Sequence, residues 1–517
     1  MGILSILSSP RGLKADAVCL GLGAASALAL PPLHAIPLLL VTIPAFLTLL
    51  GACPSGRSAI RRGWCFGFGL HAVGLYWITE AILIEAARFW WLVPLAVPAL
   101  AAVLGLFTAF AAWVAWRAGQ GPARLLAFAG AWLLADLARQ FVATGFPWNP
   151  LGSVWGIPGA VGDIMIQPAA WIGVHGMTLV TVLLAGTPLL ATRWRLVGGA
   201  VLLCWVAFGS ARLGAGVDGG QAVKIAIVQG NVDQGQKWDR GLAVRIFQRY
   251  LDLTAEGVAR AGQAATVVVW PETASPWLLE TDRNAREAIA EAAGSGMVLA
   301  GSVRFDAEQR PRNSLMAIGP GGRIEALYDK WHLVPFGEYQ PWWASVGIQL
   351  VPGGGFAPGA GPASLRVPGL PAFGPLVCYE AIFPGQIVDA GDRPAWLVNV
   401  TNDAWFGNSS GPRQHLSAAR FRAVEEGLPL MRAANTGISA AFDARGHEIG
   451  RLGMRETGVL VVDLPPALPP TVFARFGLAI PGLLAMAALV GAWVLRRRGP
   501  ERRGPERRGL AGREASG

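Results

Sequence analysis

Seven apolar runs fill residues 17–208 of this chain, an eighth occupies 472–495, and the stretch between them has the texture of an ordinary soluble domain. That alternation constrains the fold more than any other feature, because an apolar helix long enough to cross hydrocarbon needs roughly 20 residues and has few places to go but a membrane. The runs lie at 17–30, 36–50, 64–83, 91–116, 125–141, 168–191, 196–208 and 472–495. Several are short, so their boundaries are loose, and Pro31-Pro32 between the first two is also compatible with a re-entrant hairpin. The first run lacks a small-residue cleavage site and more runs follow at once, so it reads as a retained helix rather than a signal peptide. With 53% hydrophobic residues and a mean hydropathy of +0.43, the chain is too apolar for a soluble enzyme. Its 517 residues are too many for one domain.

Charge placement orients the expected spans. The formal net charge is +10. If every run crosses, Arg11 and Lys14, Arg57, Arg61 and Arg62, Arg117 and Arg124, Arg193 and Arg195, and the Arg-rich tail share one side. The other side has little more than Arg88, Arg139 and Arg212. The positive-inside rule then puts both termini in the cytoplasm and residues 213–471 outside. Four regions are expected: a transmembrane part of about seven helices at 1–212, an extracytoplasmic domain at 213–471, a last transmembrane helix at 472–495 and a basic cytoplasmic tail at 496–517. A basic end directly after an apolar helix is an orientation signal, so no nucleic-acid partner is expected. Glu80, Glu85, Arg88, Asp136, Arg139 and Asp163 fall near outer ends of runs, where interfacial anchoring or pairing is expected of them. The loop 145–167, with FPWNP at 146–150 and Trp155, reads as an ordered cap over the spans.

From Ala222 onward, β-branched runs at 223–230, 266–272, 297–302, 314–319, 376–380, 396–403 and 437–442 alternate with helical segments, clearest at 244–261 and 283–293. Continuous apolar strands with helices between them predict an α/β domain whose sheets are covered by helices. Of five cysteines only Cys378 lies in this domain, so no disulfide framework is implied, and the Cys and His spacing predicts no metal.

Cys378 sits where the hydrophobic strand FGPLV breaks at Cys-Tyr-Glu. A nucleophile at a strand-to-turn junction can face substrate, although a lone cysteine is more often a buried core thiol. Two further segments end in unusual polar groups: Glu272 in VVWPET, and Lys330 with Glu338 in DKWHLVPFGEY. A carboxylate after WP at a strand end is held rigidly and desolvated, which predicts a pKa raised toward that of a usable base. A nearby lysine would stabilise a tetrahedral oxyanion and favour thiolate over thiol.

In these frames, and in the order Glu, Lys, Cys, the chain resembles the nitrilase superfamily. More narrowly it resembles the membrane-embedded apolipoprotein N-acyltransferase family, through QGN at 229–231, KWD at 237–239, WPE, DKWHLVPFGE, VCYE and NDAWFG at 402–407. The resemblance implies a polytopic membrane domain of about eight helices with an inserted nitrilase-like αββα sandwich. It implies Glu272 as general base, Lys330 as oxyanion stabiliser and Cys378 as acyl-accepting nucleophile. Supporting or substrate-binding roles would fall to Glu338, Glu380, Tyr379, Trp238, Asn313 and Trp148. The Trp331-His332 pair departs from a histidine pair often found there, and is expected to alter loop packing only. The implied partners are a phospholipid donor, with phosphatidylethanolamine suggested, and a diacylglyceryl lipoprotein acceptor. No cofactor is implied, a monomer is expected, and the location would be the cytoplasmic (inner) membrane with the catalytic domain on the periplasmic side. Trp342, Trp343, Ile348, Leu350, Val351 and Phe356, set among glycines and prolines, read as an apolar loop able to dip into the outer leaflet, or equally as residues packed on the domain.

Three other functions compete with acyl transfer. A membrane-tethered amidase would use the same triad on small amides, a transporter would have lost catalysis, and a Cys-His hydrolase would pair Cys378 with His332 or His415.

Overall fold

The computed structural model describes residues 12–498 apart from Glu85, 217–222, Gln236, Trp238, Arg240, Gln263 and 342–354. Trp238, the loop residues Trp342 to Val351 and the end of the basic tail therefore lie outside the described residues.

The apolar part folds into helices at Leu13–Ala27, Leu39–Gly51, Gly56–Gly74, Val93–Arg117, Pro122–Arg139, Ala169–Gly186, Thr192–Gly214 and Ala479–Arg498. Among the described residues, four helical stretches are long and apolar enough to cross a membrane: Trp90–Arg117, Ala169–Leu189, Thr192–Gly214 and Ala479–Arg498. The expected eight do not all qualify, for physical reasons. Leu13–Ala27 and Leu39–Gly51 have 15 and 13 residues. Gly56–Gly74 contains Arg57, Arg61 and Arg62, and Pro122–Arg139 contains Arg124, Asp136 and Arg139. The run expected at 64–83 is also divided. Its first helix begins at Gly56, where Ser58 N–H donates to the Ser55 hydroxyl at 3.3 Å, and a separate short helix follows at Ile78–Leu83.

Small residues let these helices close up. A Cβ on Gly67 would stand 2.9 Å from Gly105 Cα, and one on Gly63 the same distance from Ala109 Cα, so Gly56–Gly74 and Val93–Arg117 pack nearly backbone to backbone. The core of the helical part centres on Phe46, Phe66, Phe128 and Trp132. Asp136 and Arg139 pair at 3.1 Å, both buried.

The strands in chain order are β1 (Val223–Gln229), β2 (Ala265–Val269), β3 (Met297–Phe305), β4 (Pro311–Ile318), β5 (Ile324–Asp329), β6 (Phe373–Val377), β7 (Trp396–Thr401), β8 (Leu430–Ala434), β9 (Ser439–Phe442), β10 (Glu448–Leu452) and β11 (Gly458–Asp463). They form a six-stranded sheet, β11-β1-β2-β3-β4-β5, and a five-stranded sheet, β10-β9-β8-β7-β6. Period-2 alternation sorts their side chains. Ile225, Ile227, Val267 and Val269 face Phe373, Val377, Val398 and Val400 between the sheets. Ala226, Val228 and Val268 meet Ile246, Phe247 and Ile289 from helices Ala243–Ala261 and Arg283–Ala293. Leu376, Leu397 and Leu430 meet Leu416, Ala419 and Ala423 from helix Gly411–Glu426. The layers are αββα, the nitrilase-like sandwich.

Polar groups buried at the junction fasten this domain to the helices. Gln414 Oε1 accepts the indole N–H of Trp77 (3.0 Å) and Trp148 (2.9 Å) and the amide of Asn149 (2.9 Å), while its Nε2 donates to the carbonyls of Pro31 and Gly74. Glu425 caps Val174 N–H at 2.7 Å, where helix Ala169–Gly186 breaks at Gly173. Asp163, one of the charges expected at an interface, pairs with Arg420 and His447 of the α/β domain. Gln414→Leu strands several of these donors and acceptors, and is expected to lower unfolding stability in detergent by about 3 kcal/mol, read by the thermal midpoint.

Candidate active site

Sheet direction gathers the polar strand ends. β1, β2 and β3 are parallel, β4 reverses against β3, and β5 reverses against β4, so β5 runs with β2 and both end on one edge. Glu272 follows β2 after Trp270-Pro271, where proline has no N–H to continue the ladder. Lys330 follows β5 directly. Cys378 follows β6 in the facing sheet and opens a short 3-10 turn, Cys378–Ile382. Its φ of +52° lies in the left-handed region that side chains with a Cβ avoid.

The structure brings the three together in a buried cluster. Lys330 Nζ donates to Glu338 Oε1 at 2.8 Å and to Glu272 Oε1 at 3.4 Å. Asn313 Nδ2 donates to the same two oxygens, at 2.7 Å on Glu272 and 3.0 Å on Glu338. Val334 N–H fixes the other Glu338 oxygen at 2.8 Å. Glu272 and the Cys378 thiol act on each other electrostatically, the thiol lowering the pKa of the carboxyl and the carboxylate raising that of the thiol. Glu380 lies behind the turn rather than in the cluster, and accepts from four donors: Val377 N at 2.6 Å, Trp331 N at 2.7 Å, Tyr328 OH at 3.0 Å and His332 N at 3.3 Å. It thereby ties the segment after Lys330 to the turn that presents Cys378. Burial pushes Glu380 up to about 7 against the pull of these donors.

The electrostatics correct two expectations. Burial does push Glu272 upward, but Lys330, Lys237, Asn313 and the thiol outweigh it, so its pKa is lowered rather than raised toward a base. Burial and Glu272 together push the Cys378 thiol up, and Lys330 offsets them only in part, so no thiolate is favoured at rest. Burial would lower Lys330, yet Glu338, Glu272 and Cys378 hold it above the usual lysine range and keep it charged. The arrangement is therefore an ionised carboxylate and a neutral thiol in one buried cluster with a fixed cation. It can take the thiol proton as sulfur attacks an electrophile, and Lys330 offers positive charge to the oxygen that becomes negative.

Tyr379 and Trp148 line the helical side of the site. Tyr379 OH donates to Gly145 O at 2.9 Å, and Trp148 packs on Trp77 at 4.6 Å and on His415 at 5.5 Å between ring centroids. The segment read as a cap is thus wedged between the helices and the elbow of the α/β domain. Gly145 allows the close turn: its φ is +75°, and a Cβ there would stand 2.4 Å from Gln140 O. His332 stacks on Phe383 at 3.6 Å and its Nε2 faces Thr144 O at 3.2 Å. His415 Nε2 faces the Cys378 carbonyl at 3.0 Å, so neither histidine forms the Cys-His pair of the hydrolase alternative.

Residues 22–187 match the family described as apolipoprotein N-acyltransferase N-terminal domain, and residues 224–468 match carbon-nitrogen hydrolase. The chain is 37% identical to the apolipoprotein N-acyltransferase of Rhodopseudomonas palustris, over 96% of its own length and 99% of that protein. It belongs to the apolipoprotein N-acyltransferase family. Another member, from Bradyrhizobium diazoefficiens, is 39% identical over 94% of this chain and 96% of its own. Among solved structures, an amidase from Nesterenkonia sp. is 22% identical with a TM-score of 0.37, covering 48% of this chain and 93% of that one.

In this N-acyltransferase family member, three features of the site escape sequence reasoning. Lys237, quoted above only as part of KWD, is buried, and its Nζ donates to Glu272 O at 3.1 Å and to the Thr273 hydroxyl. Burial lowers it to about 8. Gln414 joins the two domains, and His415, read above only as a partner for the thiol in the hydrolase alternative, stands behind Cys378 with Arg432 and with Asp403, quoted above only within NDAWFG. All but Lys237 and Asp403 lie on helix Gly411–Glu426 or strand β8, which have no stripe or alternation to read because they are buried almost all round.

Proposed function

We propose that this chain moves an acyl chain from a membrane phospholipid, through a thioester on Cys378, to the N-terminal amine of a diacylglyceryl-cysteine lipoprotein. The observation that carries the proposal is the buried Glu272, Lys330 and Cys378 cluster, set on an elbow whose next residue, Tyr379, is hydrogen-bonded to the helical part of the molecule. Glu272 takes the thiol proton as Cys378 sulfur attacks the ester carbonyl carbon. The carbonyl oxygen becomes an oxyanion beside Lys330. Collapse breaks the ester C–O bond, Glu272 returns its proton to the departing alkoxide, and a lysophospholipid leaves. The lipoprotein amine then attacks the thioester carbon, Glu272 takes a proton from its nitrogen, and the sulfur leaves and regains a proton as the amide forms.

Glu338 and Asn313 hold Lys330 and Glu272 in place. Glu380 fixes the elbow, Tyr379 and Trp148 line the acyl side, and for Trp238 the family resemblance supports a supporting or substrate-binding role. Both substrates are held in a bilayer, since each buried CH₂ contributes about 0.8 kcal/mol, so the site has to come to them. Phosphatidylethanolamine is the donor we favour. The eight apolar helices would all lie in the cytoplasmic (inner) membrane, with the α/β domain inserted before the last of them and facing the periplasm, and the chain acting as a monomer.

The test is intact-mass spectrometry of the purified protein incubated with phosphatidylethanolamine and then with a diacylglyceryl lipopeptide. An acyl adduct that moves to the lipopeptide amine is expected. An adduct discharged only to water, or ammonia released from small amides without transfer, would instead indicate the tethered amidase.

A further inference from the structure

Cys378 holds a left-handed backbone that costs of order 1–3 kcal/mol for a residue with a side chain, and such strain persists only where the surroundings over-determine it. On the incoming side Glu380 grips Val377 N–H. On the outgoing side, among the described residues, the peptide is reached by the side chain of His415, whose Nε2 stands 3.0 Å from the Cys378 carbonyl. A carbonyl only accepts, so this contact is a hydrogen bond when Nε2 carries a proton. The other ring nitrogen, Nδ1, faces Asp403 Oδ1 at 2.8 Å and Arg432 Nη2 at 3.3 Å. Asp403 is itself fixed, by Arg432 Nη2 on Oδ2 at 2.6 Å and by the Thr401 hydroxyl on Oδ1 at 3.2 Å. His415, Asp403 and Arg432 are all buried, and Trp148 packs on the His415 ring.

We propose that His415 is a positioning residue for acyl transfer: by donating to the Cys378 carbonyl it holds the elbow in the one backbone conformation that presents the thiol to Glu272. The peptide between Cys378 and Tyr379 is planar and trans, so holding its carbonyl on the His415 side turns its N–H to the opposite side. Asp403 and Arg432 set the ring so that the donor cannot swing away. The proposal rests on the acyl-transfer reading given above, and extends it to groups that touch neither substrate nor thiol.

Two substitutions separate positioning from mere packing. In His415→Gln the amide nitrogen reaches about as far as Nε2 and can still donate to the carbonyl. In His415→Asn it reaches only as far as Nδ1, so the contact with Asp403 is kept and the one with Cys378 is lost. Full-length protein in phosphatidylethanolamine vesicles is followed by intact mass for the rate of thioester formation, alongside its KM for phospholipid and its thermal midpoint. His415→Asn is expected to slow thioester formation roughly 10²-fold with KM within about twofold of wild type, and His415→Gln to recover at least about tenfold of that loss. Equal loss in the two variants, whether through slower acylation or through unfolding, makes His415 a structural residue and overturns the proposal, as does unimpaired acylation in His415→Asn. If wild type itself forms no thioester, it is the acyl-transfer reading that fails. His415 is then judged by the rate of Cys378 alkylation with iodoacetamide, where the same ordering of wild type, Gln and Asn is expected and equal rates overturn it.

Discussion

Cys378→Ala is expected to leave no acyl adduct on the protein and to cut lipopeptide acylation by on the order of 10⁵-fold or more, because no other group in the cluster can accept the chain. Glu272 and Glu338 are occupied by Lys330 and Asn313, and His415 faces a backbone carbonyl. Cys378→Ser sharpens the test. Serine is nearly isosteric and stays beside Glu272, but its hydroxyl is a far weaker acid than a thiol. Since Glu272 is held below the usual carboxylate range, it is a poor match for such a proton, and a loss of roughly 10³-fold is expected with the fold intact. Intact mass and single-turnover acylation check both variants. An Ala variant that still accumulates an acyl adduct would place the nucleophile elsewhere.

Glu272→Gln is expected to lower the rate of thioester formation roughly 10³-fold while leaving phospholipid binding within a few-fold, as removal of a general base does. Two consequences follow from the contacts. The Cys378 thiol loses its proton acceptor, and Lys330 keeps only Glu338 as a charged partner, 2.8 Å away. Because Lys330 remains paired, the variant should fold, and its thermal midpoint is the control. Stopped-time mass spectrometry with phosphatidylethanolamine reads the acylation rate directly. Retention of most activity would mean that another group takes the thiol proton, which would reopen the pairing of cysteine with a histidine despite the positions of His332 and His415.

Much of the fold was legible as local pattern. Strands β1, β2, β3, β4, β6, β7 and β9 appear in the sequence as β-branched runs, and helix Arg283–Ala293 has both ends marked, with Asp282 capping Ala285 N–H at 2.9 Å and glycine at its close. Four strands were not read. β5, IEALYD, and β10, EIGRL, alternate apolar with charged residues only weakly, and both are edge strands. β8, LMRAA, contains Arg432, which is fully buried and looks like a surface residue until Asp403 and Asn399 are brought to it. β11 closes the first sheet against β1 from more than 200 residues away, a pairing that no local window contains.

By itself the sequence determined the chemistry at hand and the kind of medium around the chain. Apolar run length, basic loops, and the frames around Glu272, Lys330 and Cys378 are properties of contiguous residues, so they can be read without coordinates. The tertiary structure alone decided how that chemistry is tuned. A carboxylate after WP reads as a desolvated base, but its pKa depends on which charges face it, and Lys330, Lys237 and Asn313 converge on Glu272 from three separate segments. The same holds for Glu380, which sits two residues from the cysteine yet accepts from the backbone amides of Val377 and of Trp331, and for His415 behind the elbow. Electrostatic energy falls off with distance in space rather than along the chain, so protonation states and the support of a strained nucleophile emerge only once distant segments are packed together.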